Sequence, residues 1–291
     1  MNAKPVTARS AAAANQAIIA AGCYRAPGGA AVALGAQVAE ACQGTVSYTP
    51  EQTAGLLEAW RAPDGARRAA TAIEVTAESS MNAARRLAGP DDGTEALGPL
   101  AVLNFASARN PGGGYLGGAR AQEEDLCRVS ALYTTLLRAP DYYAAHRASR
   151  DVFYSHRVIV SPRVPVFRDE HYALLERPYQ VSFLTSPAPN AGAAERDRRD
   201  RIPALLAERA ARVLAVAAHH GQRRLVLGAW GCGVFRNDPT VVACAFRDLL
   251  TGAGRFAGAF EHVVFAVLDR GAGRANLAAF RAAFAQQAAD A

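Results

Sequence analysis

Asn110-Pro-Gly-Gly-Gly-Tyr-Leu-Gly-Gly-Ala-Arg-Ala-Gln-Glu-Glu124 joins a triglycine loop to two carboxylates at a helix start. Gly112, Gly113 and Gly114 carry no β-carbon, so their backbone N–H groups can approach a ligand closely, and such loops suit anions. Gln122, Glu123 and Glu124 open an apolar helical pattern that runs through Leu137, which places both acids in a first turn beside the loop. A carboxylate there can protonate a departing oxygen. Upstream, the apolar run from Leu100 to Ala106 reads as a strand. The stretch is therefore the turn of a strand–loop–helix unit. In α/β sheets, loops leaving the carboxyl ends of strands build the ligand crevice.

The same arrangement recurs downstream. Gly228-Ala-Trp-Gly-Cys-Gly-Val-Phe-Arg-Asn-Asp-Pro239 follows the strand candidate Leu225 to Leu227 and precedes a helix from Val241 to Leu250. Ile73 to Thr76, Val158 to Val160, Val181 to Thr185 and Val263 to Leu268 are further strand candidates. Helical patterns lie between several of them, notably Asn82 to Leu87 and Ala194 to His220, and the cluster Gly89-Pro-Asp-Asp-Gly93 ends the former. The alternation predicts a three-layer α/β domain over residues 71–291 with a mixed, largely parallel central sheet. Residues 1–70 show helical patterns at 5–22 and from Thr49-Pro-Glu51 to Trp60-Arg-Ala-Pro63. They read as a helical extension packed on that core.

Triglycine, seven residues, then Gln-Glu-Glu resembles the signature of the poly(ADP-ribose) glycohydrolases. The segment Gly228–Pro239 looks like that family's diphosphate loop. Ile73-Glu-Val-Thr, Val102-Leu-Asn-Phe-Ala-Ser, Tyr179 to Asn190 and Val263 to Asp269 are similar to its microbial branch, so the resemblance spans roughly residues 70 to 285. It implies a macrodomain that hydrolyses the ribose–ribose O-glycosidic bonds of poly(ADP-ribose), releases ADP-ribose and acts in the DNA damage response. Carried over residue by residue, Glu124 matches the general acid and Glu123 the companion that holds ribose hydroxyls. Backbone groups of Gly231, Cys232, Gly233, Val234 and Phe235 match the diphosphate contacts, with the Phe235 ring on the nucleotide side. Gln122, Gly112, Gly113 and Gly114 fall in the same substrate-binding motif. In the microbial branch an accessory segment covers the terminal adenosine ribose, which implies cutting from chain ends.

Each residue also has a plainer reading. Acids in a first helical turn can simply compensate the helix dipole. That dipole lowers a carboxylate's pKa, whereas a general acid must hold its proton near neutrality, so the acid needs burial or a neighbouring anion. Phe235 can close the core beneath a turn instead of stacking on a base. Either Asn104 or Asn110 could meet ribose hydroxyls, with Asn110 preferred, although asparagine also fixes turns. Thr185 to Asn190 reads as scaffold. Cys232 has no neighbouring histidine and suits a small residue in a tight loop better than a nucleophile.

Composition removes other classes. Gly112, Gly114 and Gly117 satisfy GxGxxG, but positions 132–138 read Leu-Tyr-Thr-Thr-Leu-Leu-Arg where a dinucleotide fold wants an acid. The six histidines make no metal-ligand set, so no metal or cofactor is expected. There is no GxSxG elbow. A net charge of +6 suits a polyanion, yet Lys4 is the only lysine, and codon bias accounts for the arginine excess more simply. The aromatics form no sequence-specific nucleic-acid motif. Five cysteines without CxxC spacing point to a reducing cytoplasm, and no apolar run is long enough for a membrane span. The expected partners are poly(ADP-ribose) or ADP-ribosylated proteins. Two rivals remain: a macrodomain that binds ADP-ribose without turnover, and a hydrolase of mono-ADP-ribosylated targets.

Overall fold

The computed structural model describes residues 7–61, 70–89, 98–271 and 273–285. Lys4, Ala62-Pro63 and the predicted helix stop Pro90–Gly93 lie outside them. In chain order the elements are α1 (Ala8–Ala21), β1 (Cys23–Arg25), β2 (Ala31–Ala33), α2 (Gly35–Gln43), β3 (Val46–Tyr48), α3 (Pro50–Ala59) and β4 (Ala72–Thr76). There follow α4 (Ser80–Ala88), β5 (Leu100–Phe105), α5 (Gln122–Val129), α6 (Leu132–Leu136), α7 (Pro140–Ala148), β6 (Val158–Arg168) and β7 (Leu174–Ser186). The chain continues with α8 (Ile202–His219), β8 (Arg224–Leu227), α9 (Pro239–Leu250), β9 (His262–Ala266) and α10 (Ala275–Ala285).

Seven strands form one sheet in the order β3-β6-β7-β5-β8-β9-β4. From β7 to β4 every pair is parallel, whereas β6 runs antiparallel to both β3 and β7. Successive residues of a strand face opposite sides, and two separate cores result. Leu103, Val160, Phe265 and Leu225 pack on one side with α8, α9 and α10, while Val102, Ile159 and Val264 pack on the other with α4, α5 and α7. Strands buried on both faces read as continuous apolar runs. For that reason β5, β8 and β9 were visible in the sequence.

The structure differs from the sequence reading in three places. β6 and β7 form a far longer hairpin than Val158–Val160 and Val181–Thr185. Pro162, Pro165 and Pro178 demote a run as strand; in the structure Pro162 falls in the register shift between Ser161 and Val164, with Arg163 at φ 47°, Pro178 lies opposite the shift between Val166 and Arg168, and Pro165 stays in register with Gln180. The helix expected from Gln122 to Leu137 is broken. Ser130 turns extended, its hydroxyl donates to Leu126 O and accepts from Leu132 N, and its backbone bridges to Val166. Finally, the N-terminal extension is not only helical. Cys23–Arg25 and Ala31–Ala33 form a hairpin, and β3 adds an edge strand to the main sheet.

Candidate active site

β5 and β8 are adjacent and parallel, so the two glycine loops leave the same edge of the sheet side by side. Gln122 fixes the first loop's helix to its strand. Its Oε1 accepts from Phe105 N at 2.9 Å, and its Nε2 donates to Leu103 O at 2.8 Å and Ser80 Oγ at 3.1 Å. The amide thus makes three hydrogen bonds inside the protein. Gln122 acts as a staple that sets where the next two residues sit.

Those two are Glu123 and Glu124, 3% and 8% exposed in a first helical turn where acids are ordinarily solvated. Glu123 Oε2 accepts from Ser107 N at 2.6 Å and its Oε1 from Asn104 Nδ2 at 3.2 Å. Burial pushes its carboxyl up to about 8 against the opposing N–H of Ser107 and amide of Asn104, and the charge of Glu124 adds to the rise. Glu124 Oε1 accepts from Gly114 N at 2.8 Å, and its Oε2 from Ala121 N at 3.1 Å. The latter bond caps the helix, half of a capping box in which the alanine offers no return acceptor.

The triglycine is shaped by these acids. Gly113, at φ +57°, lies so close that a β-carbon there would overlap Glu124 Oε1 and come within 3.2 Å of Glu123 Oε2; at Gly112, φ +66°, one would meet Tyr133 at 2.9 Å. Gly113 N donates to Asn110 O and Gly114 N to Glu124. The loop therefore wraps the glutamates, with the N–H groups of Gly113 and Gly114 already on protein acceptors. Asn110 is exposed at the rim, with its N–H on Ser107 Oγ. Asn104 is fully buried and positions Glu123, also donating to Thr185 Oγ1 at 3.2 Å.

The second loop has the open donors. The N–H groups of Gly231, Gly233, Val234 and Phe235 meet no acceptor among the described residues, whereas Cys232 N is used on Ala229 O. Gly231, at φ +74°, is pressed between Ala188 and Asn237. Trp230, fully buried, donates Nε1 to Ser186 O at 3.0 Å, and Asn237 Nδ2 donates to Pro189 O at 2.8 Å. Thr185–Asn190 is thus the shelf on which the loop rests. Val234 is 79% exposed, and Phe235 is half-buried with its ring 5.8 Å from that of Tyr154. Burial pushes the Cys232 thiol up to about 12, which leaves no thiolate at neutral pH.

Sequence reasoning missed Tyr154 and Arg209. Tyr154 holds φ +59°, an uncommon conformation for a residue with a side chain, and no local pattern announces its approach to Phe235. Arg209, fully buried in α8, donates to Pro187 O and Phe153 O, both at 2.8 Å, and to Tyr154 O at 3.3 Å. It ties the shelf to the Tyr154 segment, and burial lowers its pKa to about 10. A buried arginine is invisible in a sequence that is rich in arginine.

The raised carboxyl of Glu123 has a measurable consequence. The folded protein binds this proton up to about pH 8, the unfolded chain only to the ordinary 4.5. The resulting stability is full below the lower value and is lost as pH rises through the upper one. Relative to Glu123→Gln, the wild type is therefore expected to lose melting temperature progressively from pH 5 to 9. Comparing the two proteins cancels His146 and His156, both pushed down to about 4 by burial. A temperature difference that stays constant across this range would contradict the burial argument.

Comparisons with known proteins converge. The family model of the microbial-type PARG catalytic domain matches residues 12–169, starting well upstream of residue 70, where the sequence resemblance began. The crystal structure of poly(ADP-ribose) glycohydrolase from Thermomonospora curvata is 52% identical, with a TM-score of 0.89 over 95% of this chain and 99% of that one. The same enzyme bound to the inhibitor ADP-HPD gives 51% and 0.87 over the same shares. The Deinococcus radiodurans glycohydrolase in complex with ADP-ribose gives 48% and 0.77, over 86% of this chain and 97% of that one. Among curated proteins, none matches.

Proposed function

The chain belongs to the microbial-type poly(ADP-ribose) glycohydrolase family, and from that premise we propose how its residues divide the hydrolysis of poly(ADP-ribose) to ADP-ribose. The open N–H groups of the Gly231–Phe235 loop hold the diphosphate. Glu123, held by Ser107 and Asn104, meets the ribose hydroxyls. Glu124 protonates the departing ribose oxygen, and the C–O bond breaks toward an oxocarbenium-like centre beside the diphosphate. The Glu124 carboxylate then takes a proton from water as the water attacks that centre. Each Glu124 oxygen spends one lone pair on Gly114 or Ala121, leaving the second for this traffic.

The single observation that carries this reading is the burial of two adjacent acids beneath one loop, next to a second loop with unspent donors. A domain that only binds ADP-ribose needs the second loop but has no use for the costly first arrangement. The test is product analysis with poly(ADP-ribose) and a mono-ADP-ribosylated protein side by side. Free ADP-ribose from the polymer is the expected result, and release from the protein conjugate alone would move the substrate to single ADP-ribosyl groups.

Two finer points belong to the same proposal. Phe235 stacks on the nucleotide with the face that Tyr154 and the core leave open. Phe235→Ala is expected to weaken ADP-ribose binding by about 1–3 kcal/mol with little loss of thermal stability. Unchanged calorimetric affinity with a much lower melting temperature would make Phe235 a core residue. Cutting proceeds from chain ends, a reading supported by α1 lying against Gly117 and Gly118 at the loop's margin. Early digests should then contain mainly ADP-ribose, and abundant short oligomers before monomer would sink the chain-end reading. The five free cysteines support a reducing, cytoplasmic setting. No helix of the described residues is long and apolar enough to cross a membrane.

A further inference from the structure

We propose that α1, the first helix of the N-terminal extension, is a clamp that positions Glu124, with Asn15 and Tyr115 as its positioning residues. The inference rests on Glu124 being the acid. Asn15 is fully buried, and its Nδ2 donates to Arg128 O at 2.5 Å and Cys127 O at 3.3 Å, the carbonyls that end α5. Its Oδ1 accepts from Arg168 Nε at 2.6 Å, which fixes the amide's orientation from the β6 side. Arg168 also donates to Tyr172 O at 2.6 Å, and the Tyr172 hydroxyl donates to Asp125 Oδ1 at 3.1 Å, one residue from Glu124. The helix that carries the acid is therefore held at its end and on its flank.

The same helix holds the loop. Tyr115, 1% exposed, donates its hydroxyl to Ala12 O at 3.3 Å and accepts from Gln16 Nε2 at 3.3 Å. Arg9 Nη2 donates to Gly117 O at 3.3 Å, and Gly118, at φ +86°, backs directly onto Arg9. Gly114, whose N–H binds Glu124 Oε1, is the residue before Tyr115. One helix thus sets both the acid's own element and the donor that orients its carboxylate. Nothing comparable links α1 to the Gly231–Phe235 loop: among the described residues its side-chain hydrogen bonds outside its own turns go to the first loop, α5 and Arg168.

The clamp predicts a divided effect, because ADP-ribose is held by the second loop while the rate depends on where Glu124 sits. A misplacement of about 1 Å can cost on the order of 10²-fold in rate. Asn15→Leu is expected to lower kcat by about tenfold or more and Tyr115→Phe by about threefold or more, with KM and ADP-ribose affinity within about threefold of wild type. Tyr115→Phe removes one oxygen and keeps the ring, so it decides the matter if Asn15→Leu does not fold. A purely structural role would lower melting temperature and, through the folded fraction, rate and binding capacity together. Wild-type kcat in folded Tyr115→Phe, or kcat and affinity falling in parallel, would overturn the clamp while leaving the acid in place. Glu124→Gln, assayed alongside, separates the two claims: its inactivity keeps the premise, and its turnover would remove the acid and the clamp with it.

Discussion

Glu124→Gln is expected to lower poly(ADP-ribose) turnover by about 10²–10⁴ while changing ADP-ribose affinity by less than about tenfold. The amide keeps the size and shape of the acid but has no proton to give to the departing oxygen and cannot take one from water. One local cost accompanies the change. Glu124 accepts from Gly114 N and Ala121 N, and an amide can accept from only one of them, a loss of about 1 kcal/mol. That perturbs the loop and leaves the diphosphate contacts proposed for Gly231–Phe235 untouched. The measurement is the initial rate of ADP-ribose release beside a calorimetric titration with ADP-ribose. A variant that binds and turns over like the wild type would take the acid role from Glu124.

Gly113→Ala is expected to be almost as damaging, without any change to an ionisable group. Its φ of +57° costs a side-chain residue about 1–2 kcal/mol. More serious is the β-carbon, which would overlap Glu124 Oε1 and press on Glu123 Oε2. Both carboxylates must move away, and displacement on that scale costs about 10²-fold in rate. The folded protein should still bind ADP-ribose through the second loop. The check is kcat against affinity in a variant whose melting curve remains cooperative. Full activity would mean that the glutamates do not need the place the structure gives them.

Much of the fold was legible because the central strands are buried on both faces. β5, β8 and β9 are short apolar runs bounded by turn residues, and the loops that matter follow the first two. The β6–β7 hairpin was not legible, because Pro162, Pro165 and Pro178 argue locally against strands, and only the pairing of the two strands shows that register shifts take up Pro162 and Pro178 while Pro165 stays in register with Gln180. β3 was hidden for a different reason: three residues, Val46–Tyr48, carry no periodicity, and their identity as an edge strand comes from β6. At the site, Gln-Glu-Glu and the glycines were visible as a motif while their division of labour was not. Which glycine spares space for a carboxylate and which leaves an N–H open depends on partners distant in sequence, such as Ala121, Ala188 and Asn237. Asn15, Tyr154 and Arg209 act entirely through such partners, so nothing around them in the chain singles them out.

On the proposed reading two neighbouring loops divide the work, one holding the diphosphate and the other carrying the acid that breaks the glycosidic bond. The decisive measurement is chromatography of poly(ADP-ribose) of defined length incubated with wild type and with Glu124→Gln, each first shown to bind ADP-ribose. ADP-ribose should accumulate with the wild type and not with the variant. Equal release by both proteins, or binding by the wild type with no release at all, would contradict it.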